Sequence, residues 1–283
     1  MFSDRLGHQQ GVTVLSLSTP RIGTVMKLFD THAHIGLIDE DPIEQLIVVQ
    51  EARQAKVQGI LSICNNVRDF FGLYENLKTA NNVYFAIGVS PSEVTNPGND
   101  WEDSIEKGLS MDRVVAVGET GLDYYRKFGN RDDQIELFIR QLELANQHDK
   151  PVVIHNREAG RDVLDILKDK VPPRGAVLHC YSENWQYAEE ALELPIYISF
   201  AGNVTYRNAR NLHETAKNMP LERMLVESES PFMVPSAYRG KRNRPSFLGE
   251  TVKFLASLRE MEEEELAEKL YENACNFFGI EQV

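Results

Sequence analysis

The sequence predicts a single (β/α)8 (TIM) barrel, and three observations carry that expectation. Short apolar runs recur eight times along the 283 residues. Segments of helical length and amphipathic pattern separate them. Five of the runs end on His or Glu. Strands alternating with helices indicate βαβ units and a parallel sheet. Eight such units over about 255 residues match the usual size of a closed barrel. An open doubly wound sheet would gather its ligands at one switch point. Here metal-binding residue types follow strands one, four, five, six and eight, and only a closed barrel brings those ends to one mouth.

Taken in order, the first strand is expected at 27–31, running into Asp-Thr-His-Ala-His (Asp30–His34). A helix at 42–56 leads to strands at 59–64 and 83–89. The fourth strand, 114–119, ends on Glu119, and a long helix at 132–148 follows. Strands at 152–155 and 176–179 end on His155 and His179. A helix at 185–194 precedes the seventh strand, 196–200, and the eighth, 224–228, enters Leu-Val-Glu-Ser-Glu-Ser-Pro-Phe (Leu225–Phe232). A last helix, 264–278, closes the chain. Residues 1–25 lack a core pattern and Met26 stands just before the first strand, so they read as a loose tail or a misplaced start, with one barrel domain over 26–283.

Composition sets limits. Hydrophobic content of 42% with 26% charged residues is that of an ordinary globular protein. No run approaches the roughly 18 apolar residues of a spanning helix, so no membrane role is expected. The first ten residues carry Asp4 and Arg5 where a secretory signal would be apolar, and a cytoplasmic location is the default. Cys64, Cys180 and Cys275 lie too far apart for a disulfide framework or a Cys-based zinc site. A net charge of −13 argues against tight duplex binding through phosphate neutralisation. That objection is weaker for an enzyme working on one strand end, where bound cations supply positive charge.

Four of the seven His, His32, His34, His155 and His179, fall at strand ends. His32 and His34 alternate on strand one and so share a face. Glu119 follows five small or apolar residues, and a carboxylate at such a buried position needs a partner. Bridging two cations satisfies both of its oxygens. Glu227 and Glu229 share parity, so one can be a ligand and the other a supporting or rim group. Imidazole and carboxylate converging from separate strands suit transition-metal ions. The expected cofactor is therefore two divalent cations, drawn from Zn, Mn, Mg, Fe, Co or Ni.

These motifs resemble those of the TatD family of metal-dependent deoxyribonucleases, within the amidohydrolase superfamily. The resemblance runs from about Lys27 to Ile280 and keeps the family's motif order. It rests on Asp30–His34, Gly118–Arg126 (GETGLDYYR), Val153–Ala159 (VIHNREA), His179–Ser182 (HCYS), Ser199–Thr205 (SFAGNVT) and Gly240–Phe247 (GKRNRPSF). It implies a barrel of the metallo-dependent hydrolase type. His32 and His34 would bind one metal, Glu119 would bridge, and His155 and His179 would bind the second. Glu229, at the position of the family's Asp, would complete the first metal's shell and move protons. Arg157 and Tyr125 would touch substrate, as would Ser90, which stands where the family has a His. Further departures are Glu183 for a Gly and Arg244 for a Glu. Glu229 is one methylene longer than Asp, so backbone or rotamer must compensate, and it is expected to hold metal less tightly than Asp would.

The implied activity is metal-assisted hydrolysis of DNA phosphodiesters from a 3′ end of a single strand, with single-stranded DNA or a small phosphoester as partner and a monomer or weak oligomer as the working form. Two alternatives keep the same site. One is an amide, ester or lactone hydrolase of the amidohydrolase type, and the other is a weakly active metal-binding relative. A purely structural barrel is disfavoured, because buried His and Glu without ligands cost several kcal/mol.

Overall fold

Eight parallel strands close around one axis in the computed structural model, which describes residues 26–282. The expectation for residues 1–25 lies outside the described residues. The strands are β1 (Leu28–Ala33), β2 (Val57–Ile63), β3 (Val83–Ile87), β4 (Val114–Asp123), β5 (Val152–Arg157), β6 (Ala176–Leu178), β7 (Ile196–Phe200) and β8 (Met224–Val226). Each pairs in parallel with the next. The ring closes just past β8. Ala33 bridges to Ser230, the Glu229 N–H donates to the His32 carbonyl at 2.9 Å, and the His34 N–H donates to the Ser230 carbonyl at 2.9 Å.

Among the described residues ten helices surround the barrel: α1 (Ile35–Ile38), α2 (Pro42–Gln54), α3 (Val67–Leu77), α4 (Trp101–Leu109), α5 (Arg131–Gln147), α6 (Gly160–Lys170), α7 (Trp185–Ala191), α8 (Arg210–Asn218), α9 (Leu248–Arg259) and α10 (Glu263–Phe278). Local chemistry sets several starts. The side chains of Asp41, Asn66, Asn130 and Asn184 accept backbone N–H groups at the first turns of α2, α3, α5 and α7. None of the described helices is long and apolar enough to cross a membrane.

Outward-facing strand residues such as Ile60, Phe85, Ile154 and Ile198 pack against the helices. Inward-facing Phe29, Leu61, Val153, Val177 and Leu225 form a second cluster with Tyr271, Phe277 and Phe278 of α10. The closing helix therefore plugs the N-terminal end of the barrel. Phe278 stacks on Phe29 at 6.0 Å, and Asn273 donates to the Leu221 and Met224 carbonyls at the start of β8.

The strands differ from their expected limits where the site begins. β4 continues past Glu119 to Asp123, with a register shift against β5 between Val117 and Thr120. Two glycines permit this. Gly118 has φ +146°, and a Cβ there would lie 2.8 Å from Val153; Gly121 has φ +130°, and a Cβ would lie 2.1 Å from the His155 carbonyl. The irregularity turns Glu119 inward, the re-aiming that bulges perform beside active sites. β6 and β8 stop at Leu178 and Val226, so His179 and Glu227 leave the sheet as the chain turns.

Candidate metal centre

At the C-terminal mouth His32, His34, Glu119, His155, His179 and Glu229 come together, as their strand-end positions predict. Strand parity is not what joins the first two. β1 ends at Ala33, its register slips between Asp30 and Ala33, and His34 is the capping residue just before α1. The turn brings the His32 and His34 Nε2 atoms within 3.1 Å. On the far side, His155 Nδ1 and His179 Nε2 stand 3.3 Å apart.

Glu119 lies between the two pairs and divides its oxygens. Oε2 faces His32 Nε2 at 3.5 Å and His34 Nε2 at 3.6 Å. Oε1 faces His155 Nδ1 at 2.9 Å and His179 Nε2 at 3.2 Å. Donors each about 2.1 Å from one cation stand roughly 3.0–3.4 Å apart, so both groups have the spacing of ligand sets. Glu229 Oε2 is buried and makes no hydrogen bond, although it lies 3.3 Å from His32 Nε2, 3.7 Å from His179 Nδ1 and 3.9 Å from His34 Nε2. Its lone pairs and the imidazole nitrogens converge on common space, as a cation's donors do. The donor set fits metal ions.

Two carboxylates stand behind the second pair. Asp123 Oδ2 meets His155 Nε2 at 3.1 Å. Glu227, fully buried, meets His179 Nδ1 at 3.3 Å and accepts the Cys180 N–H at 2.8 Å. A carboxylate on one ring nitrogen fixes the proton there, so the other presents its lone pair inward. Glu227 thus stands beside His179 and Glu229 beside His32, and the four residues together have the spacing of a ligand group. The sequence reading missed Asp123, whose only signal was a carboxylate beyond the expected end of strand four. It also missed Asp30, buried beneath the mouth, whose Oδ1 accepts the Ser228 N–H at 2.8 Å and ties β1 to the chain after β8.

Burial shapes the electrostatics. It lowers His32 well below the ordinary imidazole range, with His179 and His34 adding to the effect. Burial also lowers His34. Burial alone would raise Glu119, but the His179 charge and hydrogen bonds from His155, His179 and His32 outweigh it and hold the carboxyl well below its usual range. For Glu229 burial wins. The His179 charge opposes it, Glu227, Glu119 and Asp30 add to it, and the carboxyl rises well above its usual range. Asp30 is pushed up to about 7 by burial despite its bonds to Ser228 and His32.

The cluster floors a cavity of about 350 Å³ whose wall includes Arg126, Arg157, Ser90, Ser92, Phe232 and Met233. Ser90 is buried, with its hydroxyl 2.6 Å from that of Ser92. Tyr125 lies outside the wall; its exposed ring packs on the Arg157 guanidinium at 4.0 Å. Of the four departures from the family pattern, Ser90 and Glu229 line the cavity. Glu183 does not, and accepts from Asn156 at 3.4 Å. Arg244 does not either, and pairs with Glu51 of α2 at 2.6 Å.

A parallel barrel with imidazoles and carboxylates at its C-terminal mouth has the plan of a metal-dependent hydrolase. The chain belongs to the TatD-related DNase family, whose pattern matches residues 29–279. It is 35% identical over 259 residues to the metal-dependent hydrolase YcfH of Escherichia coli K12, covering 90% of this chain and 97% of that one. The metal-dependent hydrolase YabD of Bacillus subtilis 168 is also 35% identical, over 89% of this chain and 99% of YabD. Among solved structures, YjjV, a TatD homologue from E. coli K12, superposes with a TM-score of 0.84 at 27% identity, covering 90% of this chain and 99% of YjjV. The protein is a metal-dependent hydrolase of this family.

Proposed function

We propose that the protein is a dinuclear phosphodiesterase that shortens single-stranded DNA from a 3′ end. The observation that carries this reading is the division of Glu119 between two His pairs, beneath a cavity whose wall holds Arg126 and Arg157. His32, His34, Glu119 and Glu229 would hold one divalent cation, and His155, His179 and Glu119 the other. When bound, such ions lower the pKa of a water and neutralise charge that develops on phosphoryl oxygens.

The chain's own groups supply the rest. Asp123 and Glu227 hold the His155 and His179 rings in one tautomer. Arg126 and Arg157 orient the anionic phosphate, and a bidentate guanidinium fixes its angle as well as its charge. Ser90 and Ser92 offer hydroxyl donors on the adjacent wall. Glu229 would take the attacking water's proton and return it to the leaving oxygen. Burial and the nearby Glu227, Glu119 and Asp30 carboxylates raise its affinity for a proton.

Support for a phosphodiester comes from the family and from the two cavity arginines. The three free cysteines suit a reducing compartment, and we place the enzyme in the cytoplasm as a monomer or weak oligomer. The test is hydrolysis of an end-labelled single-stranded oligonucleotide with Mg²⁺, Mn²⁺ or Zn²⁺. A 5′-labelled strand should give a ladder shortening one nucleotide at a time. Metal-dependent cleavage of carboxylic esters or amides without any on oligonucleotides would instead assign an amidohydrolase-type reaction. Bound metal without turnover of either class would assign a weakly active relative.

A further inference from the structure

One wall of the cavity carries a feature that catalysis does not use. Phe232 follows the cluster residue Glu229 closely in sequence, and its ring is 50% exposed. It lines the cavity, edge-on to the His34 ring at 6.2 Å and 72°. Half of this large apolar face is therefore in water at the wall of the cavity, where a ligand can reach it.

The loop that carries the ring is held firmly. The Phe232 N–H donates to the Glu229 carbonyl at 2.8 Å. The buried Asn243 side chain donates to both the Ser228 and Phe232 carbonyls at 2.6 Å, and its N–H donates to the Pro231 carbonyl at 3.2 Å. Asn243 lies within the run Arg-Gly-Lys-Arg-Asn-Arg (Arg239–Arg244), where Arg239 and Lys241 are exposed. Arg242 ties the same run to the Leu37 carbonyl of α1. The ring that lines the cavity and the exposed cations therefore belong to segments tied together by Asn243, in a chain whose overall charge is −13.

Resting on the nuclease reading, we infer that this segment after β8 is the single-strand recognition element. Phe232 stacks on the terminal base of the strand whose phosphate enters the cluster, and Arg239 and Lys241 follow the backbone beyond it. A fixed aromatic face with adjacent cations is how proteins hold unpaired strands without reading sequence. A base paired in a duplex presents no free face to the ring, so the element selects frayed or single-stranded ends.

The full-length protein is assayed on a short single strand with an ordinary 3′ end and on one ending in an abasic residue. Phe232→Ala should raise KM on the ordinary strand by about fivefold to a hundredfold, the usual loss per stacked base, with kcat nearly kept. It should leave the abasic-ended strand unaffected, and Phe232→Trp should restore the wild-type KM. With chelator present to stop turnover, a terminal 2-aminopurine should be quenched by the wild type and not by Phe232→Ala. Arg239→Glu with Lys241→Glu should weaken both strands equally and flatten the salt dependence. If the wild type degrades the oligonucleotide and Phe232→Ala matches it in KM and quenching, the stacking assignment is wrong and the nuclease reading stands. If the wild type neither degrades nor binds any oligonucleotide, both are wrong.

Discussion

The two ends of the barrel are built from opposite materials. At the N-terminal end Phe29, Val177 and Leu225 meet Tyr271 and Phe278 of α10 in a sealed apolar cluster. At the C-terminal end six imidazole and carboxylate groups crowd one spot, with buried polar atoms such as Glu229 Oε2 and Asp30 Oδ2 lacking hydrogen bonds. Backbone strain does not separate the ends: Cys180, Glu229 and Met233 at the mouth adopt φ of +43°, +54° and +45°, and Lys56, Arg113 and Asp149 at the N-terminal ends of the strands adopt +69°, +56° and +50°. The lower end supplies stability, and the upper end spends some of it to hold groups in an arrangement that suits a ligand.

Separate perturbations of the two ends should therefore separate stability from rate. Phe278→Ala opens a void beside Phe29 and should lower unfolding free energy by about 3–5 kcal/mol, read from denaturant midpoints. Turnover per folded molecule should stay near wild type. A comparable loss of kcat at unchanged stability would erase the distinction between the ends. Glu119→Gln is the converse. A neutral amide bridges two cations poorly, so activity should fall about a hundredfold or more, roughly 2.7 kcal/mol of barrel-mouth function, while the metal-free protein unfolds no more easily. Wild-type rate with intact metal content would remove Glu119 from the bridging role.

Smaller effects should come from the carboxylates behind the second His pair. Asp123→Asn and Glu227→Gln should each cost about 10–100-fold in metal affinity or activity, measured by competition with a chelator. Stability beyond the metal's contribution should not change. If either variant keeps full affinity, that carboxylate does not orient its imidazole.

Glu229→Asp gives the finest distinction. The sequence suggests a site loosened by the longer side chain, so that Asp would improve metal retention. The geometry of the mouth points the other way. Glu229 Oε2 already reaches to 3.3 Å from His32 Nε2, and Asp would withdraw it by about 1.5 Å, one C–C bond. We expect a loss of about tenfold in rate or retention. A gain in either would restore the sequence-based reading, and no change in both would place Glu229 outside the metal's reach.

The lower end was readable from the chain because apolar periodicity specifies it; the eight runs, and α10 as the closing element, emerge where the pattern puts them. The converging side chains were readable because His and Glu at the ends of separate apolar runs meet at one mouth once the barrel closes. What escaped was set by irregular backbone. Asp123 belongs to β4 only because Gly118 and Gly121 let the strand bulge and continue, and a period-two pattern cannot show a bulge. His34 converges on His32 through a turn and not through strand parity. Arg244 and Glu183 stand in motifs that surround the mouth, yet their side chains turn to Glu51 and Asn156, directions that depend on neighbours remote in sequence.

The proposed activity depends on two cations sharing Glu119 between the His32–His34 and His155–His179 pairs. The most direct measurement is metal content per chain, by elemental mass spectrometry, after saturation and desalting. The wild type should carry two ions. His32→Ala with His34→Ala should carry one, as should His155→Ala with His179→Ala, each with the fold intact by circular dichroism. A wild-type ratio of one, abolished by both double variants alike, would contradict the account and reduce the mouth to a single-metal site.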